Sequence, residues 1–396
     1  MAAARPSPTP TPSPTPTPTP LEGPPPAGID QIAEEVAALR GLDVRDPLDA
    51  RVVPREALGA RYAEIAYAEI DADDIAADER LLVSLRLIEP DVDLLAVIEG
   101  FYTEQVLGLY VSDEQILYVG ADDFELSPSQ QITAAHEVLH ALQDQRWDLG
   151  EVLDFDDAES DERLAALALV EGDATLVQEL WALRHLTRAQ QQEARAEARA
   201  RGTDALDRAP RYVRDAILFP YREGGRFVQA LVASGGFPAV DAAFERLPRS
   251  SAEILHPERY LDGRGPEEVA ITAEPAGAWE EASTYSFGEF DLAQLLTPLG
   301  PDAATLAEGW AGGTVRHWQA RDDDAVALAL RFDSPDNADD VCAATPVWYE
   351  TVANATAVAD GLAEGDRDWL AWSCGELEVR LGLGPDADTA ATLAGH

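Results

Sequence analysis

Two histidines one helical turn apart, with a glutamate directly after the first, are the residues of this chain best suited to chemistry. They stand in the run His136-Glu137-Val138-Leu139-His140. On an α-helix, positions i and i+4 lie about 40° apart around the axis, so both imidazoles face the same way. Two such rings can hold one zinc ion about 2.0–2.1 Å from each nitrogen. Glu137 then projects beside the ion rather than onto it, where it can take a proton from water that the ion activates. A catalytic zinc site keeps three protein ligands and leaves the fourth position open. The expected third ligand is Glu171 in LVEGDATL, 31 residues after His140. Gly172 beside it lets a neighbouring element come close, because it has no side chain in the way. Structural zinc is usually closed by four ligands rich in cysteine, so this set reads as catalytic. Of the other four histidines, His185, His317 and His396 are expected to lie away from it.

The elements around these residues must hold them in place. LSPSQQITAAHEVLHALQDQRW opens with Ser and Pro, as a helix N-terminus does, and carries the motif. A second long helix, ERLAALALVEGDATLVQELWALRHL, carries Glu171. An acidic connection over 148–162 joins the two, and antiparallel packing would bring Glu171 opposite the histidines. The carboxylates of that connection lack the spacing of a calcium loop and read as solvated loop and helix cap. Two β-rich runs over 107–120 flank Ser112 and Asp113 and predict a hairpin. Its edge could pair with an extended substrate backbone. LDARVVP reads as a strand, and 55–104 as helix in two or three pieces broken near Asp71 and Pro90. Several short helices are expected through residue 257. Bound imidazoles need a partner on their other nitrogen, and Asp173 and Asp144 are the nearest by sequence.

AHEVLHALQDQ together with LVEGDA resembles the gluzincin metallopeptidases, the broad group that includes thermolysin. Within it, the chain is most similar to a poorly characterised set of bacterial and archaeal proteins marked by HALQDQ. FPYREGGRFV (219–228) and SSAEILHPERY (250–260) look like that set too, and the resemblance runs from about residue 95 to 262. It implies one catalytic zinc on His136, His140 and Glu171. It also implies Glu137 as general base and proton shuttle, and a peptide or protein as substrate. Gluzincins often steady the reaction's oxyanion with a histidine or tyrosine. His256 and Tyr221 fall in the two similar stretches and are the expected donors, ahead of Tyr260 and Arg226.

The implied architecture is a mainly α metallopeptidase domain with a small β-sheet over 29–275. A C-terminal α+β domain over 280–396 follows, read as two strands, a helix and two strands. Residues 1–28 form a Pro/Thr-rich tail that cannot build a core and suits a spacer or surface tether. The chain has 396 residues, 74 Asp+Glu against 29 Lys+Arg, and a formal charge of -45. A surface so negative repels phosphate backbones and anionic membranes, which excludes nucleic acid as an expected partner. No apolar run is long enough to span a bilayer, and the first residues lack the apolar core of a signal peptide. The tail favours an extracellular or cell-surface location, with the cytoplasm as alternative. Cys342 and Cys374 would form a disulfide in an exported protein or stay buried thiols in a cytosolic one. Two rival readings share the site: a zinc amidase acting on a non-peptide substrate, and a surface protein that binds zinc without turnover. A third places the function in the C-terminal domain, as a structural or adhesive protein.

Overall fold

The first sheet forms around a strand with no polar side. β1 (Asp49–Val53), β2 (Gly108–Val111) and β3 (Ile116–Gly120) lie in the order β1-β3-β2. The central strand ILYVG is buried throughout. β1 runs parallel to it and β2 antiparallel, so the predicted hairpin is present and leaves β2 as an edge. In the computed structural model the described residues are 21–69, 72–105, 107–155, 160–201 and 204–395. Most of the Thr/Pro/Ser tail, with its tether role, and His396 lie outside them.

The helix Pro128–Trp147, here the histidine helix, packs under this sheet. Ser127 accepts a hydrogen bond from the Gln130 backbone, the Gln130 side chain accepts one from the Ser127 backbone, and Pro128 opens the first turn. The helix Ile29–Arg40 packs beside the histidine helix on the same face of the sheet. Together they enclose a core of Ile32, Val36, Val52, Val119, Val138, Leu142 and Val177. The stretch 55–104 forms three helices, Arg55–Glu69, Ala72–Ser84 and Leu94–Gln105. The glutamate helix, Ser160–His185, runs antiparallel to the histidine helix: Gln143 meets Val170 near one end, and Ser129 shares a cavity with Gln178 near the other.

One stretch differs from the sequence expectation. The region read as short helices contains a 25-residue helix, Arg211–Gly235, which continues through Pro220 and the Gly224–Gly225 pair. These residues ordinarily break helices. Here the glycines allow backbone contact with the glutamate helix, and tertiary packing overrides local preference. A Cβ on Gly172 would sit 2.3 Å from the Gly224 carbonyl, and one on Gly224 would sit 2.0 Å from the Ala168 oxygen.

The C-terminal part is a mixed helix-and-strand unit larger than the four strands read from sequence. β4 (Glu280–Ser286), β5 (Trp310–Ala320), β6 (Asp323–Phe332), β7 (Thr356–Ala359), β8 (Leu362–Glu364), β9 (Trp369–Cys374) and β10 (Glu378–Gly384) make an antiparallel sheet in the order β4-β5-β6-β10-β9-β8-β7. The four strands read from sequence, β5, β6, β9 and β10, form its middle, paired as β5–β6 and β9–β10. The missed strands are at its ends, where β7 is exposed at every position and alternation gives no signal. The helix Pro335–Ala353 covers one face. Leu81, Leu85 and Leu87 from the first part share that core.

Cys342 in that helix and Cys374 at the end of β9 form a disulfide, with Cα atoms 6.1 Å apart and a sequence separation of 32. In the chain-entropy account a loop of that length is worth about 3–4 kcal/mol. Replacing both cysteines with serine is therefore expected to lower the unfolding free energy by about that amount. Equilibrium denaturant titration reads it, and a reductant should bring the wild type down to the same value.

Candidate metal centre

The histidine and glutamate helices together bury three donor atoms against one another. His136, Glu137 and His140 are each less than a tenth exposed. His136 Nε2 lies 3.0 Å from His140 Nε2 and 3.1 Å from Glu171 Oε2. His140 Nε2 lies 3.5 Å from the same oxygen. Ligands about 2.0–2.1 Å from a tetrahedral zinc stand roughly 3.3 Å apart, so the observed triangle fits the ion. Among the described residues this is the one group of three or more His, Cys, Asp or Glu side chains whose ligand atoms converge in this way. The donor set suits zinc: two imidazoles and a carboxylate, with no fourth side chain closing the site.

Glu137 stands beside the triangle under the edge strand. Its Oε2 accepts a hydrogen bond from the Tyr110 backbone N–H in β2 at 2.9 Å. Gly108 makes this approach possible. A Cβ there would lie 2.7 Å from Glu137 Cγ and 2.7 Å from the Thr133 methyl. Burial pushes the Glu137 carboxyl above its ordinary range, partly opposed by His136, His140 and the Tyr110 N–H. That direction suits a group that must accept a proton near neutral pH.

The partners behind the ligands differ from those expected. His140 Nδ1 lies 2.9 Å from Gln143 Oε1, a residue the sequence reading missed. Asp173 is one step further back, bonded to the Gln143 amide at 3.1 Å. Asp144 serves neither ring. It accepts from the Tyr110 hydroxyl at 2.7 Å and from the Leu149 backbone at 2.9 Å, which pins β2 to the end of the histidine helix. His136 Nδ1 is buried with no hydrogen-bond partner among the described residues.

Of the expected oxyanion donors, Tyr221 is at the centre: its ring stacks on His136 with centroids 6.3 Å apart, and it is 40% exposed. His256 is placed elsewhere. Its Nε2 is held by Glu289 at 2.7 Å, in a separate cavity of about 500 Å³ with Arg222, Phe219 and Phe290. Its hydrogen bond serves the packing between Pro257–Leu261 and the helix Glu289–Leu296. The Tyr260 hydroxyl donates to the Arg246 carbonyl, and Arg226 is paired with Glu223 in solvent. His185 pairs with Glu35, and His317 is buried against Asp324. In the acidic connection Asp148 caps the next turn, and 156–159 lie outside the described residues.

Comparisons of the chain with protein-family models, with curated proteins and with solved structures find no match in any of the three.

The cluster's charge makes metal binding depend on pH. Burial acts to lower the His140 pKa, but the carboxylates of Glu171 and Glu137 and the Gln143 bond outweigh it and push it up to about 9. Burial likewise acts to raise the Glu171 carboxyl, and the two imidazoles hold it well below the usual carboxylate range. Without metal the cluster therefore carries a proton at neutral pH, and a metal must displace it. Zinc affinity is expected to rise about tenfold per pH unit up to about pH 9, which chelator competition measures. The metal-free fold shows the opposite trend. The raised His140 pKa stabilises it fully below about 6.5, and that contribution is lost as pH rises through about 9.

Proposed function

We propose that this chain is a zinc-dependent peptidase of the gluzincin kind, with His136, His140 and Glu171 as metal ligands and Glu137 as general base. The observation that carries the reading is the convergence of ligand atoms from two buried imidazoles and the partly buried Glu171 carboxylate, beside a second carboxylate, Glu137, held by the edge strand. Zinc in such a site supplies a Lewis acid that polarises a carbonyl and lowers the pKa of water.

The chain's own residues supply the rest. Glu137 is held by the Tyr110 N–H and takes a proton from the attacking water. It then passes that proton to the leaving amine. The Tyr110 hydroxyl and Asp144 keep the strand, and so the carboxylate, in register with the ligands. Tyr221 faces the ligands from the third helix, where its hydroxyl can donate to the developing oxyanion. β2 is an edge strand directly above the base, which suits an extended peptide lying along it. The disulfide supports an exported protein, because such bonds persist in oxidising surroundings. The charge of -45 favours peptides over polyanions as ligands.

Zinc-loaded protein incubated with a diverse peptide library, read by mass spectrometry, tests the reading. Cleavage that stops on chelation and returns with zinc is the expected result. A folded protein holding one zinc that cuts nothing would favour the binding protein without turnover.

A further inference from the structure

Arg40 ends the first helix and is 1% exposed, 133 residues from its partner Asp173. Its guanidinium lies over the rings of Phe237, at 4.7 Å, and Trp147, at 5.7 Å. Its Nε donates to both Asp173 oxygens, at 2.8 and 2.9 Å, and a terminal nitrogen lies 2.7 Å from Asp241. Burying such a pair costs several kcal/mol per ion before the attraction is counted, so it is weak evidence for stability and points to another use.

Asp173 leads to the metal centre. Its Oδ2 accepts from Gln143 Nε2, and the same amide nitrogen donates to the Val170 carbonyl at 3.2 Å. Both partners are acceptors without a hydrogen to give, so the amide's NH₂ end must face them. Its oxygen end must then face His140 Nδ1. An amide oxygen only accepts, so the neutral His140 ring carries its hydrogen on Nδ1 and presents a lone pair at Nε2 to the cluster. His136 has no such support among the described residues, where its Nδ1 is unpartnered.

We infer that Arg40 is a positioning residue for the metal centre: by orienting Asp173 it fixes the Gln143 amide, and through it the tautomer and ring plane of His140. Without Arg40 the Asp173 carboxylate loses both orienting bonds and can rotate. The amide is then free to flip and present NH₂ to His140, which moves the ring hydrogen to Nε2 and closes that nitrogen to a metal. The effect on zinc affinity rests on the proposed zinc centre; the tautomer does not.

The test is nitrogen-15 NMR of the histidines in metal-free protein, at a pH raised until their ring shifts stop changing, together with zinc affinity by chelator competition. The variants are Arg40→Gln and the near-isosteric Asp173→Asn, with Arg61→Gln as a buried arginine elsewhere. The wild type should show hydrogen on His140 Nδ1. Arg40→Gln and Asp173→Asn should show mixed tautomers and about 10–100-fold weaker zinc binding. Arg61→Gln should change neither. Folded Arg40→Gln or Asp173→Asn protein with the wild-type tautomer and affinity would overturn the inference, and Asp173→Asn decides alone if Arg40→Gln does not fold. A wild type with the expected tautomer but no zinc binding would overturn the zinc reading and leave the positioning role standing.

Discussion

Glu137→Gln is expected to lower kcat by about 10²–10⁴-fold while zinc affinity changes little. The amide is the same size as the carboxylate and can still meet the Tyr110 N–H through its oxygen, so the edge strand stays where it is. It cannot take a proton. The loss should therefore appear in kcat, with KM nearly unchanged, because the base acts in the transition state and not in ground-state binding. A ligand variant behaves differently: His140→Ala should lose the metal first and activity as a consequence. Steady-state kinetics beside zinc content separates the two. Equal loss of zinc in Glu137→Gln would mean that Glu137 is a ligand and not the base.

The second large effect comes from a residue with no side chain. Gly172→Ala puts a methyl group 2.3 Å from the Gly224 carbonyl, and backbone cannot swing aside as a flexible side chain would. The glutamate helix and Arg211–Gly235 must separate, at about 1–3 kcal/mol of stability and occasionally more. Glu171 precedes Gly172 in the chain, so the same shift pulls a ligand from the triangle and weakens zinc binding. Gly225→Ala is the control. Its Cβ would meet only the Thr175 methyl, at 3.8 Å, which is ordinary contact. That change should be neutral or stabilising by up to about 1 kcal/mol, as Gly→Ala in a helix usually is. Thermal unfolding and chelator competition on the two variants give the comparison. Similar behaviour of the two would show that the close helix approach does not position Glu171.

The parts of the site that follow from helical periodicity were legible in the sequence. His136 and His140 face one way because 3.6 residues make a turn, Glu137 projects beside them, and Gly172 marks a close helix contact. The expected antiparallel pairing of two long helices does bring Glu171 to the histidines. What sequence could not supply is which side chain stands behind each ligand. Asp144 and Asp173 were the nearest carboxylates by position, yet the His140 partner is the amide of Gln143, oriented by an arginine on a helix more than a hundred residues away. No local pattern encodes such a chain. His256 shows a related gap: a stretch that resembles a family carries residues but not their place, and Glu289 draws this histidine into another cavity. The 25-residue helix was hidden by Pro220 and its glycines, whose local preference loses to packing. In the C-terminal sheet β6 was evident from its apolar run AVALAL, and β5 from the β-rich TVRHW. β4, β7 and β8 were not, since short or exposed end strands carry little hydrophobic pattern.

The central claim is that one zinc ion sits among His136, His140 and Glu171, and anomalous diffraction at the zinc edge from crystals of the zinc-loaded protein tests it most directly. The account predicts a single strong peak about 2.0–2.1 Å from His136 Nε2, His140 Nε2 and a Glu171 oxygen, with Glu137 outside the coordination sphere. A peak elsewhere, or none from protein with that triangle intact, would contradict it.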